Sequence, residues 1–307
     1  MTIRKFELRA DKLFKANKLP GFLHLYVGQE AIATGVCAAL RTTDYITSTH
    51  RGHGHLIAKG GDVRKMMAEL FGKATGYNKG KGGSLHISDM DLGILGANGI
   101  VGAGIPIATG AAFASKYKGE DTVAVSFFGD GASNRGTFHE ALNMAAAYTL
   151  PAVFVCENNR YGISVCADVS TSVVNIADRA IAYNMPGVIV DGNDVFAVYD
   201  AAKTAVERAR KGNGPTLIEC KTWRQLGHYV GDPDNYRSEK EKAAGNGSDP
   251  IPRLEKLMLA SGYTQEDLKK VQDKIDTLID TAVQEAESAP YPAADALLTD
   301  VFADEEG

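Results

Sequence analysis

The sequence predicts an α/β protein built on a doubly wound parallel sheet with flanking helices. Two observations carry this expectation: short uninterrupted apolar runs, and helical stretches that alternate with them. The runs at 122–128 and 152–156 bracket a helical stretch at 138–148, and the runs at 188–190 and 216–220 bracket another at 195–211. Runs of about five to seven apolar residues are what strands covered on both faces look like, and the helices between them read as crossovers. A further helical stretch is expected over 175–184.

Taken in order, residues 1–60 read as helices with a polar interruption at 41–44, ending in a histidine-rich stretch at 48–55. The segment 72–110 is dense in glycine, which marks backbone that turns sharply or lies against another surface. Apolar residues run through it, so it is not a free linker. The polar, charged and glycine-bearing segment 227–250 is expected to be an exposed, mobile loop. Helices follow it. Leu268, Val271, Ile275, Leu278 and Ala282 recur at helical spacing, and Thr264 with Asp267 forms an N-terminal capping pair. That stripe is read as packing on its own domain. The organisation expected is one α/β domain over 1–307, with an N-terminal helical segment to about 60 and a C-terminal one from about 250.

A chain of 307 residues with 44% apolar residues can build one large core. Its net charge of -5 argues against a surface that tracks phosphates, so no nucleic acid is expected as a partner. Cys37, Cys156, Cys166 and Cys220 lie far apart with no C-x-x-C pair, which suits buried thiols in a reducing compartment, the cytoplasm by default. The first 17 residues lack the apolar core of a signal peptide, and no apolar run reaches the length of a membrane span.

The chemistry is carried by a pair of turns. Gly129-Asp130-Gly131 and Asn158-Asn159 each follow a predicted strand, separated by residues 132–157. In a right-handed crossover unit two such turns emerge at the same C-terminal edge of the sheet, where folds of this kind bind ligands. Asp130 and Asn159 then converge as hard oxygen ligands, one charged and one neutral, suited to a magnesium ion that also bridges phosphate oxygens. The backbone amides of Gly131 and Ala132 sit where a diphosphate meets the start of a helix. Either turn alone is an ordinary loop signal. Together, at this spacing, they are specific.

These residues carry a family resemblance. Gly129-Asp-Gly-Ala-Ser-Asn-Arg-Gly136 through Glu157-Asn-Asn-Arg-Tyr-Gly162 is similar to the thiamine diphosphate motif in the alpha subunits of pyruvate, branched-chain 2-oxo acid and acetoin dehydrogenases. The likeness extends to His24-Leu-Tyr-Val-Gly-Gln-Glu-Ala31, Thr49-His-Arg-Gly-His-Gly54, Gly80-Lys-Gly-Gly-Ser84, Asn98-Gly-Ile-Val-Gly102 and Gly227-His-Tyr-Val-Gly-Asp-Pro233, nearly the whole chain. It implies the thiamine diphosphate-binding fold, in its diphosphate-binding domain. It further implies that Asp130, Asn159 and the carbonyl of Tyr161 hold Mg2+, that Arg51 pairs with the diphosphate, and that Gly99 and Val101 meet the aminopyrimidine through their backbone. His24 and His228 match histidines at the active-site entrance, assisting proton transfer or positioning the substrate and the incoming lipoyl group.

The same resemblance implies half of an active site, completed by a beta subunit in an alpha2-beta2 heterotetramer that docks on a lipoyl-bearing dihydrolipoyl acyltransferase. The implied reaction cleaves acetoin, or decarboxylates pyruvate, and passes a two-carbon unit to the lipoyl group, the disulfide acceptor of this oxidoreductase. His50 stands where many pyruvate enzymes have Tyr, Arg135 where Gln is common, and the run 47–55 is closer to acetoin enzymes. Branched-chain substrates rank third, since 80–84 differs from that type.

Other classes fit less of the sequence. His50, His53 and His55 invite zinc, which needs a third or fourth ligand in defined geometry; here they are read as lining the diphosphate site, one or two as polar loop residues. Gly102-x-Gly104 lacks the third glycine and the preceding strand of a nicotinamide fingerprint, which disfavours a nicotinamide-dependent dehydrogenase. A non-catalytic binding module would not require thiamine diphosphate with magnesium.

Overall fold

The computed structural model describes residues 1–300, which begin with α1 (Thr2–Lys15) and α2 (Glu30–Ala38). Then come β1 (Tyr45–Thr47), α3 (His53–Ala58), α4 (Val63–Leu70) and β2 (Ile94–Gly96). From α5 (Gly104–Lys118) the alternation is regular, through β3 (Ala124–Gly129), α6 (Gly136–Ala147) and β4 (Ala152–Asn158). A small antiparallel hairpin of β5 (Tyr161–Gly162) and β6 (Val165–Cys166) leads into the short α7 (Ala167–Ser170). The rest is β7 (Gly187–Asp191), α8 (Val195–Arg210), β8 (Thr216–Lys221), α9 (Glu239–Asn246), α10 (Pro250–Ala260) and α11 (Gln265–Ser288).

Six strands form one sheet in the order β2-β1-β3-β4-β8-β7, and every pairing is parallel. Alternate residues serve opposite faces, as the pleat requires. Val125, Phe127, Val153, Val155 and Ile218 join a core with residues of α1, α2, α4, α8 and α11. Ala124, Phe128, Ala152, Phe154 and Leu217 join a second core with α5 and α6. Both faces are covered, which is why these strands read as continuous apolar runs. Phe154 is fully buried, so truncating it to Ala would cost about 3–5 kcal/mol.

Register positions the site. Gly129 lies opposite Glu157, and Asn158 lies opposite Lys221. The chain therefore leaves β3, β4 and β8 side by side, at one edge.

Several expectations change. The N-terminal segment is not purely helical, because 45–47 forms β1, and β2 lies inside the glycine-dense segment. Three-residue strands are too short to show a period; their pairing with neighbours decides them. The turn at Gly129–Gly131 opens a 3-10 turn over Asp130–Asn134, and 176–183 is 3-10 rather than α-helical.

The segment 227–250 is not one exposed loop. Ser238 and Glu241 form a reciprocal cap that starts α9. Arg237 is buried, donates to the carbonyls of Arg224 and Leu226, and lies 5.0 Å over the Trp223 ring. Those partners replace the water that its charge would otherwise keep.

The capping box of Thr264 and Asp267 is present, and α11 packs on α4 and α1. Leu268, Ile275 and Ala282 are buried, but Val271 is 51% exposed. Of the C-terminal helical segment expected to 307, residues 301–307 lie outside the described residues. Among those described, no helix is long and apolar enough to cross a membrane.

Candidate functional site

Residues just past the ends of β3, β4 and β8 line a cavity of about 250 Å³, together with the segments 48–51 and 98–104. Asp130 enters it from the 3-10 turn after β3. The residue is 3% exposed, and its Oδ2 is buried without a hydrogen-bond partner. Burial pushes the carboxyl up to about 6, against the pull of its own and Asn159 backbone N–H groups and of Arg224. Asn159, 7% exposed, donates from Nδ2 to Gln29 Oε1 at 3.1 Å and accepts from Tyr161 N–H at Oδ1 at 3.4 Å. The Tyr161 carbonyl accepts from Arg224 Nη1 at 3.4 Å, while its phenol reaches Glu241 at 2.8 Å. Gly131 and Ala132 line the same cavity, and Gly131 packs beside Gly162.

Two guanidiniums share this space. Arg51, 4% exposed, donates to Leu25 O at 2.8 Å and His228 O at 2.6 Å. Burial and then Arg224 lower its pKa to about 9. Arg224, 1% exposed, donates to Ile163 O at 3.0 Å and Tyr236 Oη at 2.7 Å, and burial lowers its pKa too. Their contacts are to carbonyls, a phenol and the His228 ring.

Buried cations hydrogen-bonded only to neutral groups call for an anion, and a buried carboxylate with an unpartnered oxygen calls for a cation. A diphosphate with a divalent metal satisfies both, and the donor set of one carboxylate and two neutral oxygens suits Mg2+. Among the described residues no group of three or more His, Cys, Asp or Glu side chains is placed to hold a metal.

Three imidazoles crowd the mouth. His24 lies 4.9 Å from His50 and 5.0 Å from His228 between ring centroids, and His50 lies 5.4 Å from His228. Burial, then the Arg51 charge, lowers His24 to about 4 and His228 to about 3, and holds His50 well below the usual range. All three are neutral near pH 7. Arg51 Nη2 points at His228 Nδ1 at 3.0 Å, so Nδ1 accepts and the proton sits on Nε2. His24 Nδ1 and His50 Nε2 are buried without partners.

His50, His228 and Val101 line the cavity; His24 and Gly99 do not. Gly99 sits between two lining residues, Asn98 and Ile100, with the His86 ring beside it. His53 and His55 depart from the expectation that they line a diphosphate site. They lie within α3, fully buried, each held between a carboxylate and a serine: His53 by Glu7 at 3.0 Å and Ser84 at 2.9 Å, His55 by Glu157 at 3.1 Å and Ser48 at 2.7 Å. Both ring nitrogens are spent on those partners, leaving none for a ligand.

Arg224 and Gln29 are site residues that sequence reasoning passed over. Arg224 follows β8 by three positions, and its signal was the strand end alone. Gln29 sat inside a segment already noted for its histidine.

Comparison with known proteins places the chain in a family. A model of the dehydrogenase E1 component family matches residues 1–295. The chain is 52% identical over 303 residues to the alpha subunit of acetoin:2,6-dichlorophenolindophenol oxidoreductase from Bacillus subtilis, covering 98% of this chain and 91% of that one. The corresponding subunit from Cupriavidus necator is 48% identical over the same shares of the two chains. The chloroplastic pyruvate dehydrogenase E1 component subunit alpha-3 of Arabidopsis thaliana is 46% identical, covering 99% of this chain and 73% of that one.

Proposed function

Because the chain belongs to the dehydrogenase E1 component family, we propose that it is the alpha subunit of a thiamine diphosphate-dependent oxidoreductase that cleaves acetoin. The two-carbon unit passes to the lipoyl group of a dihydrolipoyl acyltransferase. The observation that carries this reading is the unpartnered Oδ2 of the buried Asp130 carboxylate beside Asn159, in a cavity that also holds Arg51 and Arg224. Acetoin is preferred because the two acetoin relatives are 52% and 48% identical. Pyruvate is the second reading, on the plastid relative at 46%.

When bound, thiamine diphosphate supplies a carbanion that acts as the nucleophile, which leaves the protein to provide placement and electrostatics. Asp130, Asn159 and the Tyr161 carbonyl would hold Mg2+. Arg51, Arg224 and the amides of Gly131 and Ala132 would meet the diphosphate, with His50 beside them. Gly99 and Val101 would border the aminopyrimidine. His24 and His228, neutral at the mouth, would take up or return a proton, His24 through its free Nδ1.

Among the described residues lining the cavity, Asp130 and Glu157 are the only carboxylates, and Glu157 is engaged by Tyr26 and His55. No carboxylate remains to activate the aminopyrimidine, which supports a beta subunit as its source in an alpha2-beta2 assembly. The four unpaired cysteines fit a reducing cytoplasm.

The test is reduction of 2,6-dichlorophenolindophenol by the native assembly purified through this chain, with acetoin and pyruvate compared and with thiamine diphosphate and Mg2+ present or omitted. Turnover with acetoin that depends on both additions is expected. A preference for pyruvate would shift the substrate to the second reading, and absence of cofactor-dependent turnover with either would overturn the proposal.

A further inference from the structure

Gln29 stands at the N-terminus of α2, yet its side chain makes no capping bond. It is 1% exposed and lines the cavity. Its Oε1 accepts from Asn159 Nδ2 at 3.1 Å, and its Nε2 is buried with no partner. The orientation of the pair is set from the far side. Asn159 Oδ1 faces the Tyr161 N–H, so Asn159 turns Nδ2 toward Gln29, which must answer with oxygen and is left with a free amino group.

The backbone holds this side chain in place. Gly28 has φ +99°, and a Cβ there would lie 2.5 Å from the carbonyl oxygen of Trp223, so glycine alone fits. Gln225 N–H donates to Val27 O at 3.3 Å. Glu30 accepts from Gly28 N–H at 3.0 Å and is itself held by Arg4. The turn is thus tied to the chain leaving β8, the same stretch that delivers Arg224. A donor fixed this firmly, dry and unanswered, suits an anionic oxygen better than any group the chain supplies.

We infer that Gln29 is a further binding and positioning residue of this site: its carbonyl turns Asn159 Oδ1 toward the metal position, and its Nε2 donates to an oxygen of the diphosphate. The inference rests on the thiamine diphosphate reading above. The two halves of the amide divide the work. Oxygen sets the metal ligand, and nitrogen holds the anion.

Two variants separate these roles in the native assembly. Gln29→Glu keeps an oxygen for Asn159 and replaces the donor with an acceptor; Gln29→Met keeps the length and removes both. Isothermal titration reads thiamine diphosphate affinity at saturating Mg2+, then Mg2+ affinity at saturating cofactor. Both variants are expected to lose about tenfold to a hundredfold in thiamine diphosphate affinity. Mg2+ affinity should fall in Gln29→Met and be kept in Gln29→Glu, a split that general loss of structure would not produce. If Gln29→Met does not fold, Gln29→Glu alone decides. Wild-type binding with variants within about twofold overturns this inference alone. Absence of cofactor binding by the wild type overturns the functional reading, and this inference with it.

Discussion

Arg51 and His228, 177 positions apart in the chain, are joined twice: Nη2 of the arginine donates to the histidine carbonyl at 2.6 Å and points at its Nδ1 at 3.0 Å. The guanidinium expected to fork onto a diphosphate thus also fastens the segment that carries an active-site histidine. Binding charge and loop geometry depend on one side chain.

Arg51→Met should therefore do more than weaken cofactor binding. It leaves the buried Leu25 O and the half-buried His228 O without their donor, and orphaning a buried acceptor costs about 1–3 kcal/mol. The cofactor-free protein is expected to lose stability in that range in urea unfolding, and proteolysis should speed up around 227–237. Unchanged cleavage there would mean that the bonds to His228 do not hold the segment.

Asp130→Asn should separate stability from function. The carboxylate is buried, has Oδ2 without a partner and is pushed up to about 6, so at pH 7.5 its charge is a burden to the cofactor-free fold. Replacing it with the neutral amide is expected to raise stability by roughly 1–3 kcal/mol, since each pKa unit of displacement corresponds to about 1.4 kcal/mol. Magnesium-dependent binding of thiamine diphosphate should be lost in the same variant. Calorimetric melting and cofactor titration on one preparation check both halves, and retained binding would remove Asp130 from the metal set.

The histidine cluster predicts the pH dependence of the cofactor-free protein. His24 and His228 have folded pKa values of about 4 and 3, and His50 is also held low, all below the unfolded value near 6.5. Between these limits the unfolded chain binds more protons, so this contribution to stability is full above pH 6.5 and is lost as pH falls toward 4. Asp130, raised in the folded state, acts in the opposite sense between its unfolded value of 3.8 and about 6, so the total slope mixes both. His50→Gln isolates one histidine: relative to wild type, the variant should be more stable at pH 5 than at pH 8. A stability difference independent of pH would show that the fold leaves the His50 pKa at its unfolded value.

The sequence by itself determined the regular half of the fold and the meeting of two turns at one cavity. Apolar runs long enough to declare themselves became β3, β4 and β8, because a strand covered on both faces is apolar at most positions. Asp130 and Asn159 were legible because turns that leave neighbouring parallel strands emerge at one edge, whatever the details of packing. The capping pair Thr264–Asp267 was equally local, a matter of three residues' spacing.

Tertiary structure alone decided the rest. Tyr45, Ile46 and Thr47 favour strand but are too few to declare one, and the neighbours on either side decide it. His50, His53 and His55 look alike in sequence, yet His50 faces the cavity while α3 turns the other two onto Glu7 and Glu157. Arg224 and Gln29 reach the site only because β8 finishes beside β4 and the Gly28 turn packs against the chain leaving β8. Hydrogen bonds and burial are set by distances in space. Residues far apart in the chain acquire their charge states and partners only when the fold brings them together.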